Sequence, residues 1–123
     1  MQLCLFSDLY VSNPINNTMT AMMYSSVKFP MNEVNSFPKA RFKWKVRRPR
    51  SNVFDVIADG EQNGRLLISL TGDLYIVGAR SDDTGVYRCV VTNPAVEKEI
   101  AVNFALKVVE GMYGVRVLFV LVG

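Results

Sequence analysis

Apolar and basic residues alternate through a stretch near the middle of the chain. Ala40, Phe42, Trp44 and Val46 each stand between two basic residues. Because successive side chains of a β-strand point to opposite faces, this period of two places the apolar set on one side and the charges on the other. A helix would scatter the same charges around its circumference. The pattern therefore predicts a half-buried strand over 39–47.

Shorter segments with strand character lie on both sides of this strand, with turn residues between them. We predict strands over 26–31, 53–58, 66–70, 74–77, 86–92 and 102–108. Pro30 favours an edge or a bulge for the first of them. The turn signals are Asp59-Gly60, Thr71-Gly72-Asp73, 81–85 and Asn93-Pro94. Many short strands without a helical period predict an all-β sandwich.

The length of 123 residues gives room for one domain. We assign 26–110 to that domain, leave 1–25 unassigned because it shows no sustained period, and treat 111–123 as an apolar tail. The apolar patch 3–6 is too short for a signal peptide, and 115–122 falls far short of the ~20 residues that span a bilayer. We therefore expect membrane association only through parts of a longer chain. Asn16 begins a possible glycosylation sequon.

Half of the basic residues are concentrated in one acid-free segment. The whole chain has 14 basic and 11 acidic residues, a net charge of +3. Twelve residues contain seven of the bases, which leaves a body with a net charge of −4. Such a segment is either a solvated strand face or a binding site for an acidic protein or a polyanion. The candidate binding residues are Lys39, Arg41, Lys43, Lys45, Arg47, Arg48 and Arg50.

The composition argues against an enzyme, a metalloprotein and a nucleic-acid-binding protein. The chain has no histidine and only two cysteines, so a Ser/His/Asp triad and a Cys-rich zinc site are excluded. Its glycines form no phosphate-binding loop, and Asp82-Asp83 fit a turn better than an acid/base pair. The aromatic residues of the basic segment, Phe42 and Trp44, are predicted to point inward, where they cannot stack on bases. We expect no catalytic residue, no metal, no cofactor and no nucleic acid.

One motif near the end of the predicted domain has the form Asp-x-Gly-x-Tyr-x-Cys. Gly85 suits a sharp corner before a strand, and Tyr87 suits a tyrosine corner, in which the hydroxyl bonds back to the backbone. Cys89 is expected to point into the sandwich beside Trp44. Asp83 is placed to pair with Arg65, at the start of the preceding hairpin.

This constellation resembles the immunoglobulin superfamily, and its intermediate (I-set) type best. The hairpin Gly72-Asp73-Leu74-Tyr75 is similar to one in early immunoglobulin domains of the contactin and L1 neural adhesion receptors, where asparagine stands in place of Asp73. The resemblance implies an immunoglobulin-like Greek-key β-sandwich.

The cysteines depart from the family pattern. The strand-B cysteine of an extracellular domain would fall within 29–33, which contains none, and Phe29 or Met31 stands in its place. Cys4 lies 40 residues before Trp44, too far for strand B without a large insertion. Either the domain resembles cytoplasmic I-set domains that lack the bridge, or the first ~30 residues are not native family sequence. Whether strands A and B are complete is left open.

The resemblance implies a cell-adhesion or recognition module on the extracellular side of the plasma membrane, within a larger receptor. Its expected partners are other immunoglobulin-superfamily or extracellular proteins, homophilic or heterophilic, and heparan sulfate. Two alternatives stand beside this hypothesis. One is a cytoplasmic I-set spacer of a cytoskeletal protein, and the other is a truncated fragment without independent function.

Overall fold

The computed structural model describes residues 8–11, 17–31, 34–96 and 98–110. The sequon residue Asn16, Cys4 and the apolar tail 111–123 lie outside the described residues. The described part contains these strands: β1 (Asp8–Val11), β2 (Asn17–Met22), β3 (Val27–Phe29), β4 (Val34–Phe37), β5 (Arg41–Arg47), β6 (Asp55–Ile57), β7 (Leu66–Ile68), β8 (Leu74–Ile76), β9 (Gly85–Thr92) and β10 (Glu99–Val109). One helical turn, Glu61–Gly64, and one 3-10 turn, Ser81–Asp83, join them.

The strands form a sandwich of two sheets. One sheet has five strands in the order β2-β10-β9-β5-β6, and the other has three in the order β3-β8-β7. Strands β1 and β4 form a separate antiparallel ribbon. Neighbouring strands are antiparallel except β2 and β10, which run parallel. The predicted all-β sandwich is confirmed.

The core lies between the two sheets and is built from their inward-facing residues. Its centre is a cluster of four aromatic side chains, namely Phe29, Trp44, Tyr87 and Phe104. Phe29 contacts the other three rings, with centroid separations of 6.0, 5.1 and 5.0 Å, which lie in the range of favourable aromatic pairs. We call these four residues the aromatic cluster.

The structure contains strands at the two places, strands A and B of the family pattern, whose completeness the sequence left open. Strand β2 lies inside the unassigned segment 1–25 and pairs with β10 from Phe104↔Asn17 to Val109↔Met22. Strand β3 has only three residues, yet Val27, Phe29 and Met31 are all buried while Lys28 and Pro30 are exposed, as the alternation predicts. The sandwich therefore includes β2 beside β10, and a short strand opposite the aromatic cluster.

Helical structure is slight in the described ranges, and none of it is long and apolar enough to cross a membrane. The helical turn Glu61–Gly64 is irregular, because Gln62 and Asn63 have positive φ angles. It serves as a connection between β6 and β7.

Candidate binding face and the motif that supports it

The Asp-x-Gly-x-Tyr-x-Cys motif forms a rigid corner at the start of β9. Asp83 is buried and accepts hydrogen bonds from Arg65, with Nη2···Oδ1 at 2.9 Å and Nη1···Oδ2 at 3.1 Å. Its Oδ2 also accepts the backbone N–H of Arg80 at 2.7 Å. The Tyr87 hydroxyl donates to the carbonyl of Asp83 at 2.6 Å, which completes a tyrosine corner. The ion pair and the corner expected from the sequence are both present.

The reason for glycine at position 85 differs from the one expected. We expected Gly85 to permit a sharp corner, but its backbone does not have the positive φ that favours glycine. A Cβ at this position would instead lie 2.6 Å from the backbone oxygen of Arg47, and a backbone atom cannot easily move away. Gly85 therefore allows β9 to approach the end of β5 closely.

A second set of contacts joins the β7–β8 hairpin to both sheets. Trp44 donates its indole N–H to the carbonyl of Gly72 at 2.7 Å, so its one polar atom is satisfied in the core. Asp73 is also buried, and its Oδ1 accepts the backbone N–H of Met31 at 2.6 Å. Gly72 has a φ of +92°, and a Cβ there would collide with the ring of Phe42. The hairpin that carries the family resemblance thus fixes the position of Trp44.

Cys89 is a free, fully buried thiol on β9, directly across the sheet from Trp44. Burial raises the pKa of this thiol to about 12. Only the thiolate is an effective nucleophile, so Cys89 acts as a small core residue. Burial likewise raises the pKa of Tyr87 to about 12.

The seven candidate basic residues do not form one surface. Those on β5 project outward, because Trp44 and Val46, which alternate with them, are buried. Arg48 instead turns to the motif corner and donates to the carbonyl of Asp82 at 2.8 Å and to the Tyr87 hydroxyl at 3.3 Å. Lys39 precedes β5, and Arg50 lies in the turn after it. The outward members of β5 are Arg41, Lys43, Lys45 and Arg47.

The strand register adds two further cations to the same surface. Residues paired across a sheet point to the same side, so Lys45 shares its side with Arg88 of β9. Along β10 the outward positions include Lys107. Among the described outward positions of this sheet there is one acid, Glu99, in the same row as Arg41. We call the following six residues the basic face: Arg41, Lys43, Lys45, Arg47, Arg88 and Lys107.

The cations of the basic face have no carboxylate partner within the described ranges. The one salt bridge found there joins Arg65 to Asp83, away from this surface. Six positive charges against one negative charge produce a positive field over the outer side of the sheet.

An aromatic ring lies against the basic face at its β6 side. The guanidinium carbon of Arg88 is 4.2 Å from the ring centroid of Phe54, and that of Arg47 is 5.7 Å away. Arg88 also donates its Nε–H to Asn103 Oδ1 at 2.8 Å. Sequence reasoning placed Arg88 on the outward side of its strand but did not join it to the basic segment. Phe54 lies in an irregular segment, where no periodicity indicates the direction of a side chain.

No group of three or more His, Cys, Asp or Glu side chains is arranged to hold a metal ion in the part of the chain that the structure describes.

The comparisons with known proteins find similarity in structure and not in sequence. No family model matches the chain, and no curated protein matches it. Solved structures do match. The four N-terminal Ig domains of Dscam1 isoform 4.44 give a TM-score of 0.74 at 19% identity, covering 86% of this chain and 26% of that chain. The same four domains of isoform 9.44 give a TM-score of 0.72 at 20% identity, covering 85% of this chain and 25% of that chain.

A longer structure agrees with these. The eight N-terminal Ig domains of Down Syndrome Cell Adhesion Molecule isoform 1.30.30 give a TM-score of 0.69 at 21% identity, covering 83% of this chain and 12% of that chain. The chain thus spans about a quarter of the four-domain structures, roughly one domain of each.

The chain has the immunoglobulin fold. In the terms of that fold, Trp44 on β5 is the strand-C tryptophan, and β9 is strand F with its tyrosine corner and Cys89. Strand β3 takes the place of strand B, and β10 takes the place of strand G. The basic face is therefore the outer surface of the sheet that contains strands C, F and G.

Proposed function

We propose that this immunoglobulin domain is a recognition module of a larger cell-surface receptor and that it binds a negatively charged partner through the basic face. The observation that carries the proposal is the charge distribution: six cations and one acid occupy the described outward positions, and no carboxylate of the described ranges forms an ion pair with these cations. The similar solved structures come from a protein whose name describes it as a cell adhesion molecule, which supports a place outside the cell. The hairpin at Gly72–Tyr75 supports a relation to contactin and L1 receptors.

The charge of the basic face also restricts how the domain associates. A positive surface speeds the approach of an acidic partner and makes its binding sensitive to salt. In a two-fold symmetric pair that used this face on both copies, six cations would oppose six cations. A two-fold symmetric homophilic contact therefore has to use another surface, and we take the partner of the basic face to be a different molecule.

The alternative of an intracellular spacer has one observation in its favour. Cys89 is a free thiol, and a reducing cytosol preserves free thiols. A spacer has no evident use for a concentrated positive face, so we favour the receptor. An epitope tag on the full-length product separates the receptor from the spacer when intact and permeabilised cells are stained. Staining of intact cells supports the receptor, and staining only after permeabilisation supports the spacer.

Binding of the labelled 123-residue chain to intact cultured cells tests the proposal. We expect the triple variant Lys43→Gln, Lys45→Gln, Arg47→Gln to lose most binding, because it neutralises the centre of the basic face. The matched control Lys28→Gln, Arg50→Gln, Arg80→Gln removes the same charge from exposed positions outside the face. Equal binding by the two triple variants would contradict the proposal.

A further inference from the structure

We propose that the partner of the basic face is a sulfated polysaccharide, and that one of its sugar units occupies a depression beside Phe54 with its anionic group on Arg88. This inference rests on the proposed function, since it names the chemical class of partner for the same surface.

The depression lies on the outer side of the five-stranded sheet, across β2, β10 and β9. It has a volume of about 420 Å³. Its walls combine one aromatic ring, two guanidinium groups and neighbouring amide and hydroxyl groups. The lining residues are Asn17, Thr18, Arg47, Phe54, Val86, Arg88, Asn103 and Ala105. A ring provides a flat apolar surface for a sugar, and amides and hydroxyls can exchange hydrogen bonds with sugar hydroxyl groups.

Arg88 is held in an orientation that suits an anion. Its Nε–H bonds Asn103, and its guanidinium lies over Phe54 at 4.2 Å, so the planar group is fixed from two directions. Within the described residues, its two terminal nitrogens have no hydrogen-bond acceptor. A guanidinium fixed in this way can bind a sulfate or carboxylate through two parallel hydrogen bonds at a small entropic cost.

The remaining cations suit a linear polyanion. Outward positions along a strand recur every ~6.8 Å, so the four cations of β5 cover about 20 Å in a straight row that ends at the depression. A chain with a charge on every few ångströms can contact this row along its length. An acidic folded protein could satisfy the row, but it would make less use of a depression lined by a ring, amides and hydroxyls. The observations therefore favour the polysaccharide.

Calorimetric titration of the 123-residue chain with a heparin hexasaccharide tests the inference. Arg88→Lys keeps the charge but loses the planar fork, and we expect it to weaken binding about tenfold. Its matched control, Arg41→Lys, makes the same exchange at the far end of β5 and should weaken binding less than about twofold. Phe54→Leu removes the ring. Its control is Val53→Ala, a change at the exposed neighbouring residue. Thermal melts check that each variant is folded. If Arg88→Lys does not fold, the comparison of Phe54→Leu with Val53→Ala tests the inference instead.

The possible outcomes separate this inference from the proposed function. A selective loss in Arg88→Lys and Phe54→Leu supports the sugar site. Equal losses of affinity in Arg88→Lys and Arg41→Lys would overturn the sugar site, but they would still agree with binding through a general electrostatic surface. Polyglutamate binding that is as tight, and as sensitive to Arg88→Lys, would identify an acidic protein as the partner and overturn the polysaccharide. No binding of either probe would also overturn it, and the cell-binding experiment would then decide the proposed function independently.

Discussion

Phe29 is one of two buried residues, with Met31, at the positions where the family pattern places the strand-B cysteine of an extracellular immunoglobulin domain. Its side chain is fully buried and contacts Trp44, Tyr87 and Phe104. Losing the bridge from a small secreted domain costs ~2–5 kcal/mol. Burying a phenylalanine contributes about 1.5–3 kcal/mol, and each favourable ring pair adds ~0.5–1.5 kcal/mol. The aromatic cluster thus contributes stabilisation of the same order as the bridge that is missing from this core.

Phe29→Ala is therefore expected to destabilise the domain by about 3–5 kcal/mol, the usual cost of removing a buried ring and leaving a cavity. That is a large fraction of the ~5–15 kcal/mol that stabilises a typical domain. Urea unfolding followed by fluorescence suits the measurement, because Trp44 is the single tryptophan and lies in the cluster. Leu67→Ala, on the exposed side of β7, is the control and should cost less than about 1 kcal/mol. Equal costs for the two variants would refute the role given to Phe29.

Three further predictions concern strain, the motif corner and pH. Tyr24 is 78% exposed and has a φ of 70°, so Tyr24→Gly should raise the free energy of unfolding by ~1 kcal/mol; a lower urea midpoint would contradict this. Asp83→Ala leaves the guanidinium of Arg65 without its carboxylate and should cost about 3 kcal/mol in the same assay, whereas a cost below ~1 kcal/mol would show that the ion pair is dispensable. Burial raises the pKa of Cys89 from 9.0 and that of Tyr87 from 10.0, each to about 12. The unfolded chain therefore loses these protons at a lower pH than the folded chain does. The stability that the two buried groups contribute is complete below pH 9 and falls between pH 9 and 12. Urea midpoints that stay constant over this range would contradict the burial of both groups.

The central strands and the motif corner were predictable because each has a strong local signal. Period two around Trp44 predicted β5 and the sides on which its residues lie. The spacing from Asp83 to Cys89 predicted the corner, and the position of Arg65 at the start of the preceding hairpin predicted the partner of Asp83. These patterns depend on burial at one face and on a turn of fixed length, and both are visible in a single sequence.

Other parts were not predictable because they depend on pairing between distant segments. Strand β2 contains only two apolar residues at partly buried positions, Met19 and Ala21, and it is held by hydrogen bonding to β10. The role of Gly85 depends on the carbonyl of Arg47, which is far away along the chain.

The membership of the basic face likewise required the strand register. Consecutive residues in the sequence suggested that Arg48 joins its neighbours on β5, but the chain leaves the strand at Arg47 and Arg48 bonds to the motif corner. Arg88 comes from another strand and reaches the face only through the pairing of β5 with β9. The cluster of basic residues in the sequence thus predicted the positive charge of the surface but not which residues form it.

An NMR titration of the isotope-labelled 123-residue chain with the heparin hexasaccharide is the sharpest test of the proposed contact, because it locates the contact without any substitution. We expect the largest shifts at backbone amides of β5 and β9, around Lys43, Lys45 and Arg88, with little change in the three-stranded sheet. Shifts centred on the motif corner near Arg48 and Arg80, or on β3, β7 and β8, would contradict it.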